Sequence, residues 1–315
     1  MQKILAILGP TATGKTDFGI YLAQKYNGEI VSCDSRQVYK GLDIGSGKMP
    51  NISSKFKIKN SKWEIDGIDI WMLDVADPKI QYSVKDYIDK ASKVIEEIIL
   101  RDKLPIVVGG TGLYFKALTE GLDYLDLPID KSARKRYERF SLVKLQEKLK
   151  NSYPKKWRDL NNSERHNKRR LIRHLEILTM NPYKDKSSSP NSKPPSYDIL
   201  KIGLTVPRPV LNSRIDDRLD ARLNVGLLKE VEGLYKNGLS EDRLKSLGLE
   251  YGVLIDVVTQ KISEKVAVDI LKIKIHQFAK RQMTWFKKDQ EIIWFDITSQ
   301  DYQIKLENMV SSWYH

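Results

Sequence analysis

Cysteine, long apolar runs and negative charge are all scarce in this sequence. Cys33 is the only cysteine among 315 residues, which excludes a disulfide framework and a zinc site built from several cysteines. We expect this thiol to be buried in a strand of a protein that works in a reducing interior. No stretch approaches the roughly 20 apolar residues of a membrane span, and the run Ile4–Leu8 is too short for a signal peptide. These absences predict a cytoplasmic protein with no membrane association.

Positive charge, by contrast, is in excess. The chain has 54 Lys and Arg against 41 Asp and Glu, for a formal net charge of +13. Such an excess is typical of proteins that meet a polyanion, although it can also serve solubility alone. Residues 131–175 hold sixteen Lys and Arg against four Asp and Glu, in a mostly helical pattern. This segment therefore predicts a basic helical insertion.

Strand and helix patterns alternate along the rest of the chain. The predicted strands are Ile4–Leu8, Glu29–Cys33, Pro105–Val108, Lys201–Val206 and Ile292–Phe295, and the predicted helices are Asp17–Tyr26, Val84–Leu100, Val210–Leu234 and Val266–Phe286. Such alternation is typical of an α/β fold with a parallel sheet covered by helices on both faces. Ligands of such sheets bind where the strands end. Three candidate segments follow strands: Gly9–Thr16, Asp34–Tyr39 and Gly109–Gly112.

The segment Gly9–Thr16 (GPTATGKT) fits the phosphate-binding pattern G-x-x-x-x-G-K-[ST]. It lies between a predicted strand and a predicted helix, so backbone N–H groups and the helix N-terminus can face one anion. Lys15 is expected to reach terminal phosphate oxygens, and the Thr16 hydroxyl to bind Mg²⁺. The motif predicts binding of a diphosphate or triphosphate without specifying ATP. Together with the alternating elements, it predicts an α/β fold of the P-loop NTPase type.

The predicted core is interrupted once. We expect residues 1–125 to form the first part of the P-loop core, residues 126–183 the basic helical insertion, and residues 199–315 the remainder with C-terminal helices. Residues 184–198, rich in Ser, Pro and Lys, are expected to form a flexible loop.

Asp34 and Thr111 are the side chains of interest beside the phosphate motif. Asp34 could bind magnesium through water, accept a proton from a nucleophile, or simply cap a turn with Ser35. The glycines of Gly109–Gly112 fit a tight strand-to-helix turn, but such a turn does not require the hydroxyl of Thr111.

The chain resembles the bacterial tRNA dimethylallyltransferase (tRNA isopentenyltransferase) family along nearly its whole length. Six segments, in this order, are the most specific part of the resemblance. They are GPTATGKT (Gly9–Thr16), DSRQVYKGLDIGSGK (Asp34–Lys48), DPKIQYS (Asp77–Ser83), LPIVVGGTGLYFKALTEGL (Leu104–Leu122), RRLIRHLEI (Arg169–Ile177) and FAKRQMTWF (Phe278–Phe286). The chain departs from the family pattern at Ser246–Tyr251, where many members have Gly-Tyr-Lys-Glu, and at Arg222, where methionine is common. These departures concern the substrate channel.

The resemblance implies transfer of a dimethylallyl group from dimethylallyl diphosphate to N6 of adenosine at tRNA position 37, beside the anticodon. It implies Mg²⁺ as cofactor and the anticodon stem-loop as partner, and we expect a monomer with no obligatory protein partner. It assigns catalysis to Asp34, as general base, and to Thr111. Diphosphate binding is assigned to Gly9, Pro10, Thr11, Ala12, Thr13, Gly14, Lys15 and Thr16, with Thr16 also on the metal. The tRNA contacts it implies are Asp34, Ser35, Arg36, Gln37, Thr111, Arg134, Arg169, Arg170, Leu171, Ile172 and Arg173.

Three other functions use the same motif. A small-molecule or nucleotide kinase would use Asp34 as base for a hydroxyl, but does not need the basic insertion. An isopentenyltransferase of free adenine nucleotides should also lack it. A non-catalytic RNA-binding ATPase would hydrolyse ATP when RNA is bound.

Overall fold

The computed structural model of the protein describes residues 1–49, 55–59, 62–180 and 196–315. The chain forms two compact units, one of Met1–Thr119 with Pro194–His315 and one of Glu120–Lys193. The first division therefore falls earlier than the predicted boundary after residue 125. Most of the predicted loop 184–198 lies outside the described residues, and Asp198 already begins a strand.

A mixed sheet of eight strands forms the centre of the first unit in the described part of the chain. In chain order the strands are β1 (Lys3–Leu8), β2 (Gly28–Ser32), β3 (Phe56–Lys59), β4 (Lys62–Ile65), β5 (Ile68–Trp71), β6 (Leu104–Gly109), β7 (Asp198–Thr205) and β8 (Ile293–Asp296). Their order across the sheet is β3-β4-β5-β2-β6-β1-β7-β8. The central strands β1, β2 and β6 are almost wholly buried, as expected for parallel strands covered on both faces.

The prediction of a parallel sheet is right for six strands and wrong for one edge. Strands β5, β2, β6, β1, β7 and β8 pair in parallel, whereas β3, β4 and β5 pair antiparallel. The turn between β4 and β5 is Asp66-Gly67, with φ values of 49° and 82°. Two residues with positive φ match the twist of a tight hairpin, so this Asp-Gly pair is the signal that the sequence interpretation missed.

Helices cover both faces of the sheet. In chain order, those of the described residues are α1 (Lys15–Lys25), α2 (Val84–Leu100), α3 (Gly112–Thr119), α4 (Lys131–Glu138), α5 (Leu142–Ser152), α6 (Pro154–Asp159), α7 (Asn162–Arg165), α8 (Lys168–Met180), α9 (Arg208–Asn224), α10 (Leu227–Lys236), α11 (Glu241–Leu247), α12 (Leu249–Val258), α13 (Glu264–Phe286) and α14 (Tyr302–Tyr314). One core contains α2 and α9–α13, and the other contains α1 and α14. Within the described segments, no helix has the length and apolar character needed to cross a membrane.

The predicted helix Val210–Leu234 is two helices. Helix α9 ends at Asn224 and α10 begins at Leu227, with Gly226 between them at a φ of 107°. That backbone conformation strains residues with a Cβ, so the glycine breaks the helix and redirects the chain. Helix α10 therefore starts separately from α9, and it carries Glu230, whose contacts with a loop of the site are described below.

The second unit is helical and has its own small core. Helices α4 to α8 pack around apolar side chains that include Tyr137, Leu145, Leu149, Leu171 and Leu175. The predicted basic helical insertion is therefore an independent cluster of short helices, whose buried stripe is narrow and whose remaining surface carries the lysines and arginines.

Candidate active site

Three loops lie at one edge of the central sheet. Strands β2, β6 and β1 are neighbours and parallel, so their carboxyl ends share this edge. The loops that follow them are Cys33–Lys48, Gly110–Thr111 and Gly9–Thr16. The structure thus brings together the three segments that the sequence singled out.

The Gly9–Thr16 loop is curled tightly. Gly9 has a φ of 139°, and a Cβ at this position would lie 2.4 Å from the carbonyl oxygen of Leu204. Ala12 and Gly14 also have positive φ, at 64° and 74°, immediately before α1 begins at Lys15. A tightly curled backbone that leads into a helix N-terminus suits an anion such as a phosphate chain.

Lys15 is folded into this loop and carries an unusual pKa. Its ammonium group donates to the Pro10 carbonyl oxygen, as does the hydroxyl of the buried Thr13. Burial, together with the nearby charge of Arg218, lowers the pKa of Lys15 to about 7, and Asp34 only partly opposes this. Because this pKa lies close to neutral pH, Lys15 can gain a proton when an anion binds.

Arg218 on α9 is a site residue that the sequence interpretation missed, and Arg222 on the same helix was noted there only as a departure from the family pattern. Arg218 donates to the Thr11 hydroxyl at 3.2 Å, and Arg222 donates to the Gly45 carbonyl oxygen at 3.2 Å. A Cβ on Gly47 would lie 2.3 Å from one Arg218 nitrogen and 2.0 Å from one Arg222 nitrogen, so both guanidinium groups press against this glycine. Burial and the charge of Arg222 lower the pKa of Arg218 to about 10. The charge of Arg218 beside Lys15 favours an anionic ligand.

A sequence signal for these arginines exists. Arg214, Arg218 and Arg222 recur every four residues and therefore share one face of α9. Nothing in the sequence, however, connects α9 with a loop about 200 residues earlier.

Asp34 and Thr111 are joined through the Cys33–Ser35 backbone. The Thr111 hydroxyl accepts from the Ser35 N–H at 3.0 Å, and the Thr111 N–H donates to the Cys33 carbonyl at 3.1 Å. One oxygen of Asp34, Oδ1, accepts from the N–H groups of Arg36 and Gln37 at 2.7 and 3.4 Å. No hydrogen-bond partner of the other oxygen, Oδ2, is present among the residues described by the structure. Capping and proton acceptance can therefore belong to different oxygens of this carboxylate.

Cys33 is buried beside these residues, immediately after β2 rather than within it. Burial raises the pKa of its thiol to about 12. The predicted burial of this residue is confirmed, and its thiol stays protonated at neutral pH.

Gln282 of α13 fastens two of the loops to each other. Its Oε1 accepts from the Thr11 N–H at 3.0 Å, and its Nε2 donates to the Gly110 carbonyl at 2.9 Å. The side chain is buried, and a Cβ on Gly110 would lie 2.4 Å from Nε2. Gln282 falls in the segment Phe278–Phe286 that carried the family resemblance, but a lone glutamine in a helix pattern gave no local sign of this role.

The Cys33–Lys48 loop is held in place from the far side by Glu230. The two carboxylate oxygens of Glu230 accept the N–H groups of Asp43, Ile44 and Gly45 at 2.7 to 3.0 Å, and the Tyr251 hydroxyl at 2.7 Å. Lys48 at the end of the loop is fully buried and pairs with Asp74. The loop is therefore fixed at both ends of its glycine-rich stretch.

The side chains of Arg36 and Gln37 have partners within the same unit. The Arg36 guanidinium donates to the Ser246 carbonyl at 2.9 Å, and the Gln37 carbonyl oxygen accepts from the Ser32 hydroxyl at 2.7 Å. Both are half-buried, so their first task is to shape the loop that follows β2.

The predicted RNA-contacting segment of α8 separates into two kinds of residue. Arg169 and Arg170 are exposed, whereas Leu171 and Ile172 are buried in the core of the helical unit. The helix turns the side chains of Leu171 and Ile172 inward, so the exposed arginines are the side chains of this segment that are open to RNA.

Arg134 and Arg173 share one buried partner. Both pair with the carboxylate of Glu176, at 2.7 and 3.4 Å, and Arg173 also donates to the carbonyls of Tyr124 and Leu127. Each arginine keeps a little over a quarter of its side chain exposed. Their guanidinium groups are consequently fixed in direction while remaining open to solvent.

The donor set for a metal ion is sparse. The described residues include no group of three or more His, Cys, Asp or Glu that could hold a metal ion. The Thr16 hydroxyl, exposed on the first turn of α1, is the candidate protein ligand. This set suits Mg²⁺, which commonly keeps waters and completes its shell with substrate phosphates.

Comparisons with known proteins cover nearly the whole chain. A family model described as IPP transferase matches residues 37–289, and a model described as isopentenyl transferase matches residues 2–66. A curated tRNA dimethylallyltransferase of Halalkalibacterium halodurans is 35% identical over 312 residues, which span 97% of this chain and 94% of that protein. One of Bacillus cereus (strain ATCC 14579) is 37% identical over 303 residues, covering 94% and 90%.

The solved structures that superpose on this chain include isopentenyl- and dimethylallyltransferases of tRNA. The full-length tRNA isopentenylpyrophosphate transferase from Bacillus halodurans superposes with a TM-score of 0.70 at 33% identity, covering 99% of this chain and 96% of that chain. A eukaryotic dimethylallyltransferase acting on tRNA superposes with a TM-score of 0.75 at 26% identity, covering 98% of this chain and 78% of that chain.

Proposed function

The chain belongs to the IPP transferase family, and we infer that it is a prenyltransferase that transfers a dimethylallyl group to tRNA. The observation that carries this conclusion is the similarity to tRNA dimethylallyltransferases along almost the full length of both chains. The geometry supports it, since a phosphate-type loop, a carboxylate and a hydroxyl meet at one sheet edge. The buried, lone Cys33 suits a reducing cytoplasm, where we expect the protein to work as a monomer.

The proposed donor is dimethylallyl diphosphate, and the proposed acceptor is N6 of adenosine at tRNA position 37. In the reaction the N6–C1 bond forms while the C1–O bond to the diphosphate breaks. The products are N6-(dimethylallyl)adenosine in the tRNA and diphosphate, and one proton leaves N6. Catalysis then requires two things of the protein, which are stabilisation of the departing negative charge and acceptance of that proton.

The Gly9–Thr16 loop would act as a P-loop that holds diphosphate without ATP hydrolysis. Its curled backbone and the α1 N-terminus would face the anion, and Lys15 and Arg218 would add positive charge. Mg²⁺, held by Thr16 and the diphosphate oxygens, would neutralise further charge on the leaving group. Because Lys15 has a pKa near 7, anion binding would draw a proton onto it.

Asp34 is the proposed general base. The exocyclic amine of adenine is a weak nucleophile, so a carboxylate in hydrogen-bond reach must take its proton as the C–N bond forms. Oδ2 suits this step because Oδ1 is occupied by the Arg36 and Gln37 N–H groups. Thr111 would hold the Ser35 backbone, and through it the direction of Asp34, while its hydroxyl stays beside the donor.

The target adenosine must leave the stack of the anticodon loop, at a cost of a few kcal/mol. Phosphate contacts from the basic helical unit would offset this cost. Arg134 and Arg173, fixed by Glu176, together with the exposed Arg169 and Arg170, are the proposed contacts.

The test is product formation with a matched pair of variants. Protein, Mg²⁺, dimethylallyl diphosphate and tRNA bearing adenosine at position 37 should give N6-prenylated adenosine, detected by mass spectrometry after nuclease digestion. Asp34→Asn keeps an oxygen to cap Arg36 but removes the base, so turnover should fall at least 100-fold. Asp77→Asn is the control, because Asp77 caps the Lys79 N–H in the same way on the surface. Its turnover should not change.

Parallel reactions address the other functions. Equal prenylation of free adenosine monophosphate, or RNA-stimulated release of phosphate from ATP, would overturn the proposed function. Full activity of Asp34→Asn would leave the reaction standing and remove Asp34 as the base.

A further inference from the structure

The helical unit contains a hollow that the proposed reaction does not use. It has a volume of about 400 Å³, within the range of small-ligand pockets, and is formed by α4, α5 and the last turn of α8. Its principal lining residues are Arg136, Tyr137, Phe140, Lys148, Tyr153 and Thr179. No acidic side chain contributes to this lining in the described part of the chain.

Aromatic rings form the interior of the hollow. Tyr137 is buried, Phe140 and Tyr153 are half-buried, and the rings of Tyr137 and Phe140 meet edge to face with centroids 6.0 Å apart. The Tyr153 hydroxyl donates to the Leu178 carbonyl at 3.3 Å, and the hydroxyls of Tyr137 and Thr179 lie 3.3 Å apart. The hydroxyl contacts thus hold the rings of Tyr137 and Tyr153, and the half-buried rings of Phe140 and Tyr153 are the ones that a flat ligand in the hollow can reach.

Exposed cations form the rim. The guanidinium of Arg136, on α4, lies 5.1 Å from the Tyr137 ring centroid. The second rim cation, Lys148, is exposed on α5. A ligand that suits both parts has a flat aromatic portion and a negative charge a few ångströms away.

We propose that this hollow binds one unstacked nucleotide of the RNA substrate, distinct from the adenosine that is prenylated. Its base stacks in the aromatic interior, and its phosphate pairs with Arg136 and Lys148. An acidic peptide would satisfy the rim cations but would leave the ring faces without a flat partner. The proposal rests on the proposed function, because that function supplies RNA as the ligand.

The experiment compares RNA binding by two variants with equal loss of charge. Arg136→Gln with Lys148→Gln removes the rim cations, while Lys135→Gln with Lys150→Gln removes exposed cations of the same two helices outside the hollow. The probe is an anticodon stem-loop RNA, measured by fluorescence anisotropy. We expect the first variant to weaken binding at least tenfold more than the second, with turnover at saturating RNA unchanged in both.

A third variant tests the stacking. Phe140→Leu keeps an apolar side chain in the core but removes the π-face, and it should weaken binding about tenfold. In the wild type, 2-aminopurine placed at successive positions of the stem-loop should be quenched on binding at one position besides the target, and Phe140→Leu should abolish that quenching. Thermal unfolding of the variant checks that the fold is retained.

Two results would overturn the proposal. Equal weakening by both charge variants would mean that only the overall charge of the helices matters. If free adenosine monophosphate binds tightly in the hollow and does not compete with RNA, the hollow is a site for a free nucleotide. Either outcome is separable from failure of the proposed function, since that failure is the lack of prenylated product with wild-type protein.

Discussion

Gln282 is a single buried side chain on which two loops of the candidate active site depend. Replacement by leucine would leave the Thr11 N–H and the Gly110 carbonyl without partners, at about 1–3 kcal/mol each. The loops would shift relative to each other, and we expect kcat/KM for prenylation to fall about 10- to 100-fold.

Gln24→Leu is the matched control for this change. Gln24 is an exposed glutamine that donates to the Asp66 carbonyl, away from the site. Its loss should change neither turnover nor stability appreciably. If Gln282→Leu lowers stability but leaves kcat/KM at the wild-type value, Gln282 supports the fold and does not position the loops.

Lys15 gives diphosphate binding a pH dependence with a definite sign. Above pH 7 the lysine of the free protein is largely neutral, and a bound anion favours its charged form. Binding therefore takes up a proton above pH 7, and affinity falls as pH rises through that value, by at most about tenfold per pH unit. Below pH 6 this contribution vanishes because the free protein is already protonated.

The measurement is calorimetry of diphosphate binding in buffers of different ionisation enthalpy. Lys15→Arg is the reference, since arginine stays charged across this range and the titration of the ligand itself cancels. At pH 8 the wild type should take up nearly one proton more than Lys15→Arg. Equal proton uptake by the two proteins would contradict the lowered pKa of Lys15.

At the scale of elements, Glu230 of α10 ties a helix to the loop that follows β2. Glu230→Gln exchanges a charged acceptor of four hydrogen bonds for a neutral amide whose NH₂ repels the N–H groups of the loop. Bonds to charged groups contribute about 1.5–3 kcal/mol each, and relaxation recovers part of the loss, so we expect the free energy of unfolding to fall by about 3 kcal/mol.

Urea unfolding measures this change. Glu232→Gln is the control, because Glu232 lies two residues away on α10 and makes an exposed ion pair with Lys236. Exposed pairs contribute little, so this substitution should leave the free energy of unfolding nearly unchanged. Equal losses from both substitutions would show that the contacts of Glu230 with the loop contribute little to stability.

Local signals predicted the elements whose ends are set locally. Helix α2 begins and ends where the sequence indicated, because the capping box of Ser83 and Asp86 fixes its start. The central strands were found because burial on both faces makes them continuously apolar. The antiparallel edge was missed because β3 and β4 have only four residues each, of which two are charged, and rely on their neighbours for stability.

The candidate site was predictable only where one stretch of chain carries the chemistry. The Gly9–Thr16 loop, Asp34 and Thr111 each follow a strand, so topology alone brings them together. Arg218, Glu230 and Gln282 reach the same loops from helices far along the chain, and their contacts depend on tertiary packing. Leu171 and Ile172 show the converse, since a motif match cannot tell which face of a helix is buried.

At the scale of the whole molecule, the net charge of +13 is distributed unevenly, which allows a prediction about where RNA binds. Arg169 and Arg170 are exposed on α8, whereas Arg173 is bound to Glu176 and two backbone carbonyls, so only the first two can be removed without disturbing the helical unit. Neutralising both to glutamine should weaken tRNA binding and reduce the slope of log K against log salt by about one to two, because each lost phosphate contact releases one fewer counterion. Lys90→Gln with Lys93→Gln on α2 makes the same change in net charge on exposed residues of the other unit and should leave the slope unchanged. A slope reduced equally by both pairs would mean that RNA responds to total charge, and the helical unit would lose its place as the RNA-binding surface.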